Sequence, residues 1–344
     1  LDVHLPALND LFGGEGPDIP GEVTAGAKLT GTFEHLALED LTADWTTPGS
    51  SSGKLDGRIG DITELKDISL SLTGQLEQAA WLAPLLPDSM GTISTAELSA
   101  EISGSHSRLV LDNSSLKVKT AEGLDLALSG RYELADFLAD PQTGSINAKL
   151  VFSAPTTHAA RSLLFDDIPE LGAIQGSTDI RSAGGDPALE NVVVNTRDPE
   201  GIQVGLKGRI ASFPPHPDRP NTGYDLDVRM QSTKTSVMAE RVGLDLPIGG
   251  PLDLGFRIAG DTQALELNLI ELTAGDAAGK LLKAKGRILF REWEQEDPLN
   301  ALDLALELRS DEEILEAWSI QELPPLAYTA IGRLHTVSGR HRID

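Results

Sequence analysis

The segment LLKAKGRILF, residues 281–290, decides the fold because apolar and basic side chains alternate along it. Leu282, Ala284 and Ile288 share one parity, whereas Lys283 and Lys285 share the other. Successive side chains of a strand point to opposite faces of a sheet, so this period of two predicts a β-strand with one aliphatic and one charged face.

The Gly-Arg step inside this segment recurs along the chain. It occurs at Gly57-Arg58, Gly130-Arg131, Gly208-Arg209 and Gly286-Arg287, with spacings of 73, 78 and 78 residues. A near-constant spacing indicates one structural unit that is copied along the chain. We therefore expect function to reside in a surface that the copies build together, more than in a single compact active site.

Residues 236–310 show one copy most completely. Ser236–Leu244 is typical of a short helix that ends at a glycine and a proline. Four alternating strands are predicted after it, around Leu252–Ile258, Leu265–Leu269, Leu282–Phe290 and Leu302–Leu308. In other copies, Leu76–Leu86 and Glu312–Trp318 are the predicted helices.

The predicted fold class is mostly β. We expect an elongated, curved antiparallel sheet, groove-like or solenoid-like, built from repeats of about 75–80 residues with one short helix each. The whole chain, 1–344, is interpreted as a single elongated repeat domain. The approximate repeat boundaries are 1–74, 75–155, 156–232, 233–310 and a truncated 311–344.

Composition narrows the possible partners. The chain has 53 acidic and 28 basic residues, a net charge of −25 and no cysteine. This charge repels phosphate backbones and anionic membrane surfaces, so no nucleic-acid partner is expected. No stretch approaches the ~18 apolar residues that a membrane-spanning helix needs. Because the chain starts at Leu1 and enters the repeat part-way, we interpret it as a fragment whose membrane anchor lies outside it.

The aliphatic face of each copy needs cover, and one short helix per four strands supplies little. Either helices plug the face, or the sheet forms a trough whose apolar lining is left for a ligand. A continuous aliphatic face that runs through all the copies would far exceed the several hundred square ångströms at which exposed apolar patches mark binding sites. The predicted lining residues are Leu70, Leu72, Leu98, Ile102, Leu124, Leu126, Leu128, Leu150, Phe152, Val204, Leu206, Leu226, Val228, Leu254, Phe256, Leu265, Leu267, Leu269, Leu282, Ile288, Leu302, Leu304 and Leu306.

No catalytic or metal constellation emerges from the polar residues. The seven histidines show neither clustering nor recurrence at matched repeat positions. Ser103–Ser107 places a serine near His106, but without a nucleophile elbow and in a predicted turn. The acidic pairs Glu39-Asp40 and Asp166-Asp167 fit no calcium loop. We predict a protein that is not an enzyme and has no metal and no cofactor.

The four recurring arginines have two interpretations. Arg58, Arg131, Arg209 and Arg287 lie on the parity opposite to the apolar series and should point outward. The favoured interpretation is pairing with carboxylates on the next strand. The alternative places them at a groove rim, in contact with lipid head groups.

With these motifs the chain resembles the C-terminal repeat region of the AsmA-like family, the envelope proteins of Gram-negative bacteria that include TamB and YhdP. The shared elements are the strand ending in Gly-Arg-Ile, an acidic-aliphatic strand such as 65–70 or 301–304, and then a short helix and Leu-Pro. The resemblance covers nearly the whole chain. It implies an inner-membrane-anchored periplasmic protein whose β-groove conducts phospholipid or supports outer-membrane assembly.

Two functional hypotheses follow. The first is a lipid-handling groove that holds phospholipid or another acyl-chain lipid between inner and outer membranes, with envelope proteins at either end. The second is a structural or scaffolding β-repeat that binds protein partners through its outer surface. The first is favoured by the aliphatic faces and by the resemblance.

Overall fold

In a computed structural model, most of the described residues lie in β-strands. Within the chain, the structure describes residues 2–4, 21–32, 35–47, 51–77, 92–135, 144–163, 169–183, 185–212, 223–241, 250–261, 264–276, 281–291, 299–310, 328–337 and 340–343. The mostly β, antiparallel fold class is thereby confirmed.

The alternating segments form long strands. Their bounds are β1 Asp2–His4, β2 Glu22–Thr32, β3 His35–Thr46, β4 Ser52–Asp61, β5 Lys66–Glu77, β6 Ile93–Ser105, β7 Arg108–Thr120, β8 Asp125–Ala135, β9 Gly144–Ala154, β10 Ala173–Ala183, β11 Ala188–Arg197, β12 Gln203–Ile210, β13 Tyr224–Ser232, β14 Leu252–Gly260, β15 Ala264–Gly275, β16 Leu281–Arg291, β17 Leu299–Ser310, β18 Tyr328–Val337 and β19 Arg340–Ile343. Two short helices are described, a 3-10 helix at His158–Leu163 and α1 at Thr235–Arg241.

The chain divides into two compact units. The first comprises Leu1–Pro155, Ala159–Asp167 and Ser177–Pro187, and the second comprises Thr156–His158, Ile168–Gly176 and Ala188–Asp344. Within the first unit, β1 to β9 pair antiparallel, each with its neighbour in sequence. Within the second, β11 to β19 do the same. Each unit is therefore a meander of hairpins.

A β-bulge recurs in every fourth strand. Asp40, Asn113, Asn191 and Leu269 adopt the left-handed conformation, with φ of 51°, 50°, 52° and 52°. Each lies where the register of β3, β7, β11 or β15 shifts, and the shift ends opposite the glycine of a Gly-Arg step. An extra residue in one strand locally increases twist and bends the strand.

The Gly-Arg glycine is required by close backbone approach. At Gly57, Gly208 and Gly286, φ lies between 145° and 157°. A Cβ at Gly286 would run into the carbonyl of Asp303 on the next strand. The Gly-Arg step thus marks a place where two neighbouring backbones approach too closely for a side chain.

The hairpins that lead into the Gly-Arg strands also share one geometry. Thr47, Thr120 and Asp198 each donate their backbone N–H to the carbonyl of the fourth residue onward, at 2.9 Å in all three. The side-chain oxygen of each accepts an amide in the same turn, for example Leu124 N–H to Thr120 Oγ1 at 3.2 Å. This hydrogen bond from the turn backbone to the side chain explains why the first residue of each turn is Thr or Asp.

The helix predictions are only partly correct. The predicted Ser236–Leu244 corresponds to α1, which spans Thr235–Arg241. The prediction of a helix beginning at Leu76 is wrong, because Leu76 continues the alternation of β5 and pairs with Ala96. The rest of that segment, and Glu312–Trp318, lie outside the described residues. A helix in every repeat is therefore not supported. In the part of the chain that the structure describes, no helix is long and apolar enough to cross a membrane.

Candidate functional site

The strand registers place the predicted lining residues of the first unit on one side of its sheet, here named the first apolar face. One row crosses four strands as Leu98, Leu116, Leu128 and Leu150, each the register partner of the next. The predicted residues on this face are Leu70, Leu72, Leu98, Ile102, Leu126, Leu128, Leu150 and Phe152. Most of their side chains are half-buried, whereas Phe152 is buried. The predicted Leu124, which is also buried, lies in the β7–β8 turn, just before β8 begins.

The second unit has a corresponding second apolar face. One row runs through six strands, with its members Val204, Met230, Leu254, Leu272, Ala284 and Leu306 in register. This face contains the predicted residues Val204, Leu206, Leu226, Val228, Leu254, Phe256, Leu265, Leu267, Leu282, Ile288, Leu302, Leu304 and Leu306. With strands ~4.8 Å apart, six strands span roughly 24 Å.

Leu269 does not belong to that face. The alternation through Leu265 and Leu267 is broken by the bulge, so Ile270 is the residue that lies opposite Gly286. Leu269 lies on the other side of the sheet with 70% of its surface exposed. The prediction of Leu269 as a lining residue is wrong, because one extra residue in a strand reverses the side of every residue that follows.

Each apolar face is packed at one end of its strands. In the first unit, Leu76, Ile93, Ala96 and Val118 form a buried cluster, flanked by Trp45. In the second unit, Leu171, Ile202, Met238, Leu252, Ala274 and Leu282 form the equivalent cluster. Met238 comes from α1, so this helix covers one end of the second apolar face. Toward the Gly-Arg end, the described aliphatic side chains are mostly half-buried.

Polar contacts hold α1 in place. The hydroxyl of the fully buried Thr235 donates to the carbonyl of Gly250 at 2.8 Å. At the other end, Arg241 donates to a carboxylate oxygen of Glu200 at 2.8 Å and to the carbonyl of Glu170 at 3.1 Å. The bond to Glu200 is the main cause of the raised pKa of Arg241. Together these contacts fix a helix of only seven residues, which is too short to be stable alone.

The opposite faces are polar and laced with ion pairs. Arg108 forms two hydrogen bonds to Glu133, at 2.7 and 3.0 Å, and Arg229 does the same to Asp253, at 3.2 and 2.7 Å. Both pairs join neighbouring strands. Exposed pairs of this kind are worth at most about 1 kcal/mol each, so these faces confer solubility more than stability.

The recurring arginines lie on these polar faces. Arg209 is 3.9 Å from Asp225 on the following strand, as expected. Arg131 and Arg287 instead approach Asp112 and Glu266 on the preceding strand, at 3.2 and 3.9 Å. Asp112 adjoins Asn113, the left-handed residue of the bulge in β7. Arg58 is exposed on the same side as Ser69.

Shallow cavities also open on the polar faces. A cavity of ≈ 500 Å³ in the first unit is lined by Lys54, Gln75, Glu97 and Lys117, among others. In the second unit, one of ≈ 590 Å³ lies around the exposed Leu269. Both cavities are lined by acidic as well as basic side chains.

The candidate chemical residues have structural roles. His106 lies in the β6–β7 turn, as predicted, with Nδ1 2.8 Å from the carbonyl of Glu64. Asp61 ends β4 and accepts bonds from the Thr63 hydroxyl at 2.6 Å and from His35 at 3.0 Å. These bonds, that from Thr63 first, hold the pKa of Asp61 well below its usual range. Among the described residues, no three His, Asp or Glu side chains are arranged to hold a metal. Asp166-Asp167 lies outside them.

Comparison with known proteins identifies no relative. No protein-family model matches the chain, and neither the curated proteins nor the solved structures contain a significant match. The two apolar faces are therefore the basis for inferring a function.

Proposed function

We propose that the chain is a non-enzymatic lipid-handling protein of the Gram-negative envelope, and that its apolar faces hold or conduct the acyl chains of phospholipid. Its place would be the periplasm, anchored to the inner membrane through a segment outside this sequence. Its partners would be an acyl-chain lipid and envelope proteins at either end.

The observation that carries this proposal is the unbroken aliphatic row through six strands of the second unit, from Val204 to Leu306. An ordinary sheet core is covered by a second layer, whereas among the described residues this face is covered only at one end, by α1 and Leu171. A row of apolar side chains over roughly 24 Å, most of them half-buried, favours a surface that a flexible hydrocarbon chain completes.

The finer architecture belongs to the same proposal. The bulge and the Gly-Arg step recur at sequence spacings of 73, 78 and 78 residues, and the hairpin turn recurs at the first two of these spacings. This recurrence supports repeats of about 75–80 residues that would build one elongated, curved groove, as the resemblance to AsmA-like proteins implies. In that arrangement, residues at equivalent positions of successive copies would line one continuous surface.

The direct test is the lipid content of the purified protein. Protein expressed in a Gram-negative host should carry phospholipid through gel filtration, with the bound species identified by mass spectrometry after extraction. Protein that carries no acyl species, and extracts none from phosphatidylethanolamine vesicles, contradicts the proposal.

Adjacent residues on opposite faces supply a matched pair of variants. Leu128 lies on the first apolar face and Ser129 on the polar face beside it. We expect Leu128→Glu to lower lipid retention severalfold while the protein stays folded by circular dichroism, and Ser129→Glu to leave retention unchanged. Leu304→Glu gives a second position, on the second apolar face.

A scaffolding role is the second candidate, favoured by the packed clusters at one end of each face. There, Met238 and Leu282 of the second unit are buried as in any closed core. If the faces are simply cores, Leu304→Glu and Leu267→Glu should unfold the protein because they place a charge in a closed interior. Retained folding with lost lipid favours the groove.

A further inference from the structure

Two hydroxyl groups interrupt the first apolar face. Ser114 lies opposite Gly130, and Tyr132 follows two residues along β8, so both side chains belong to that face and are diagonal neighbours. Both hydroxyl oxygens are shielded from solvent, and neither has a hydrogen-bond partner among the described residues.

The equivalent positions beside the other bulges are aliphatic. In each pair, the first residue lies opposite the glycine of the Gly-Arg step and the second follows that glycine by two residues. The pairs are Leu41 and Ile59, Val192 and Ile210, and Ile270 and Ile288. The fold therefore does not need hydroxyls here. Leaving a buried hydroxyl unsatisfied costs free energy, so a pair of them at this one place is costly unless a ligand satisfies them.

From this pair we infer that Ser114 and Tyr132 form a polar recognition point in the first apolar face, which binds the ester carbonyl of an acyl lipid. The inference rests on the proposed lipid-handling function. A carbonyl oxygen attached to a hydrocarbon chain matches the site chemically: two donors in an otherwise aliphatic surface suit a group with acceptors, no donors and apolar surroundings.

The chemical state of the tyrosine is suited to donation. The Tyr132 phenol is protonated at neutral pH because its ordinary pKa lies near 10, and burial raises that pKa further. Leu111 and Ile146 are its register partners on the flanking strands, so hydrocarbon would surround a carbonyl bound there. In such surroundings a hydrogen bond is stronger than in water.

The test compares two lipids that differ only in the carbonyl. Mixed vesicles contain equal amounts of dioleoyl phosphatidylethanolamine and of its di-ether analogue, which has the same chains and head group. The protein is re-isolated, and bound lipid is quantified by mass spectrometry. We expect wild-type protein to favour the ester about fivefold or more, the ratio that one net hydrogen bond provides.

Ser114→Ala with Tyr132→Phe should bring this ratio close to one while total bound lipid is retained. Because the substitutions remove unsatisfied groups and keep the side-chain shapes, the melting temperature should not fall. Tyr224→Phe, which removes a phenol hydroxyl from the second apolar face, is the control and should keep the preference.

Equal binding of ester and ether by wild-type protein overturns the recognition point and leaves the lipid-handling function intact. A fall in melting temperature for Tyr132→Phe alone also overturns the recognition point, because it would mean that another group of the chain already forms a hydrogen bond with the hydroxyl. Binding of neither lipid rejects the proposed function, and with it the inference.

Discussion

At the residue scale, the four bulges are the same in backbone and different in side chain. Asp40, Asn113 and Asn191 are the residue types that tolerate the left-handed conformation, because their short polar side chains bond locally. Leu269 has the same φ, but its side chain has no polar group to form a local hydrogen bond, and because it is 70% exposed it gains little from burial. It is therefore a point of stored backbone strain.

Leu269→Asn should stabilise the protein. Relief of the left-handed strain is worth about 1 kcal/mol, and little buried surface is lost. Thermal unfolding should show a higher melting temperature. Leu267→Asn, two residues away on the second apolar face, is the control and should lower it, because it replaces apolar with polar surface at a half-buried position. A lower melting temperature for Leu269→Asn would show that its side chain packs usefully.

Asp61 gives the protein an acid-sensitive turn. Its folded pKa is depressed by Thr63 and His35, so it stabilises the fold above the carboxyl's unfolded pKa near 4, and this stability is lost as pH falls below that value. Melting temperatures measured from pH 7 to pH 2 should fall less steeply for Asp61→Asn than for wild type. Parallel curves would refute a role for this carboxylate.

At the element scale, period-two alternation predicted the strands well, because each strand has one buried and one solvated side. Bulges escaped prediction, since an extra residue leaves no mark except an Asn or Asp that any turn could also contain. Leu269 was assigned to the wrong face for this reason. Leu76 was assigned to a helix because its segment, like a helix, is rich in Leu and Ala, but cross-strand pairing with Ala96 prevails.

The helix α1 contributes Met238, which is 4% exposed, to the buried cluster of the second unit. Met238→Ala should lower the free energy of unfolding by about 2–4 kcal/mol, because it leaves a cavity against Leu252 and Leu282. Urea titration monitored by circular dichroism measures this. Ser236→Ala, exposed on the same helix, should change it by less than about 0.5 kcal/mol. Equal effects of the two would mean that α1 does not cover the apolar face.

At the scale of the whole molecule, the acidic excess opposes folding. We expect the repulsion from a net charge of −25 to exceed the weak attraction of the exposed ion pairs. Raising NaCl from 20 to 300 mM should therefore raise the melting temperature by about 2 °C or more, because screening acts on the excess. A fall would indicate that the inter-strand pairs, such as Arg229–Asp253, dominate.

The charge and periodicity of the whole chain were evident from sequence, because both are sums over many residues. The Ser114–Tyr132 pair was not, since it becomes visible only when the registers align four equivalent bulges. Two hydroxyls that lie 18 positions apart in the chain have no sequence signature of their own.

The nearest-neighbour order of the strands has a kinetic consequence. Every described strand pair within a unit joins segments that follow one another in the chain, so contact order is low for a β protein of this length. Hairpins can close one after another as the chain leaves the ribosome or a membrane pore, without waiting for a distant partner. When the sheet grows in this order, each new edge strand is paired, and its exposed backbone groups are satisfied, as soon as the next strand forms.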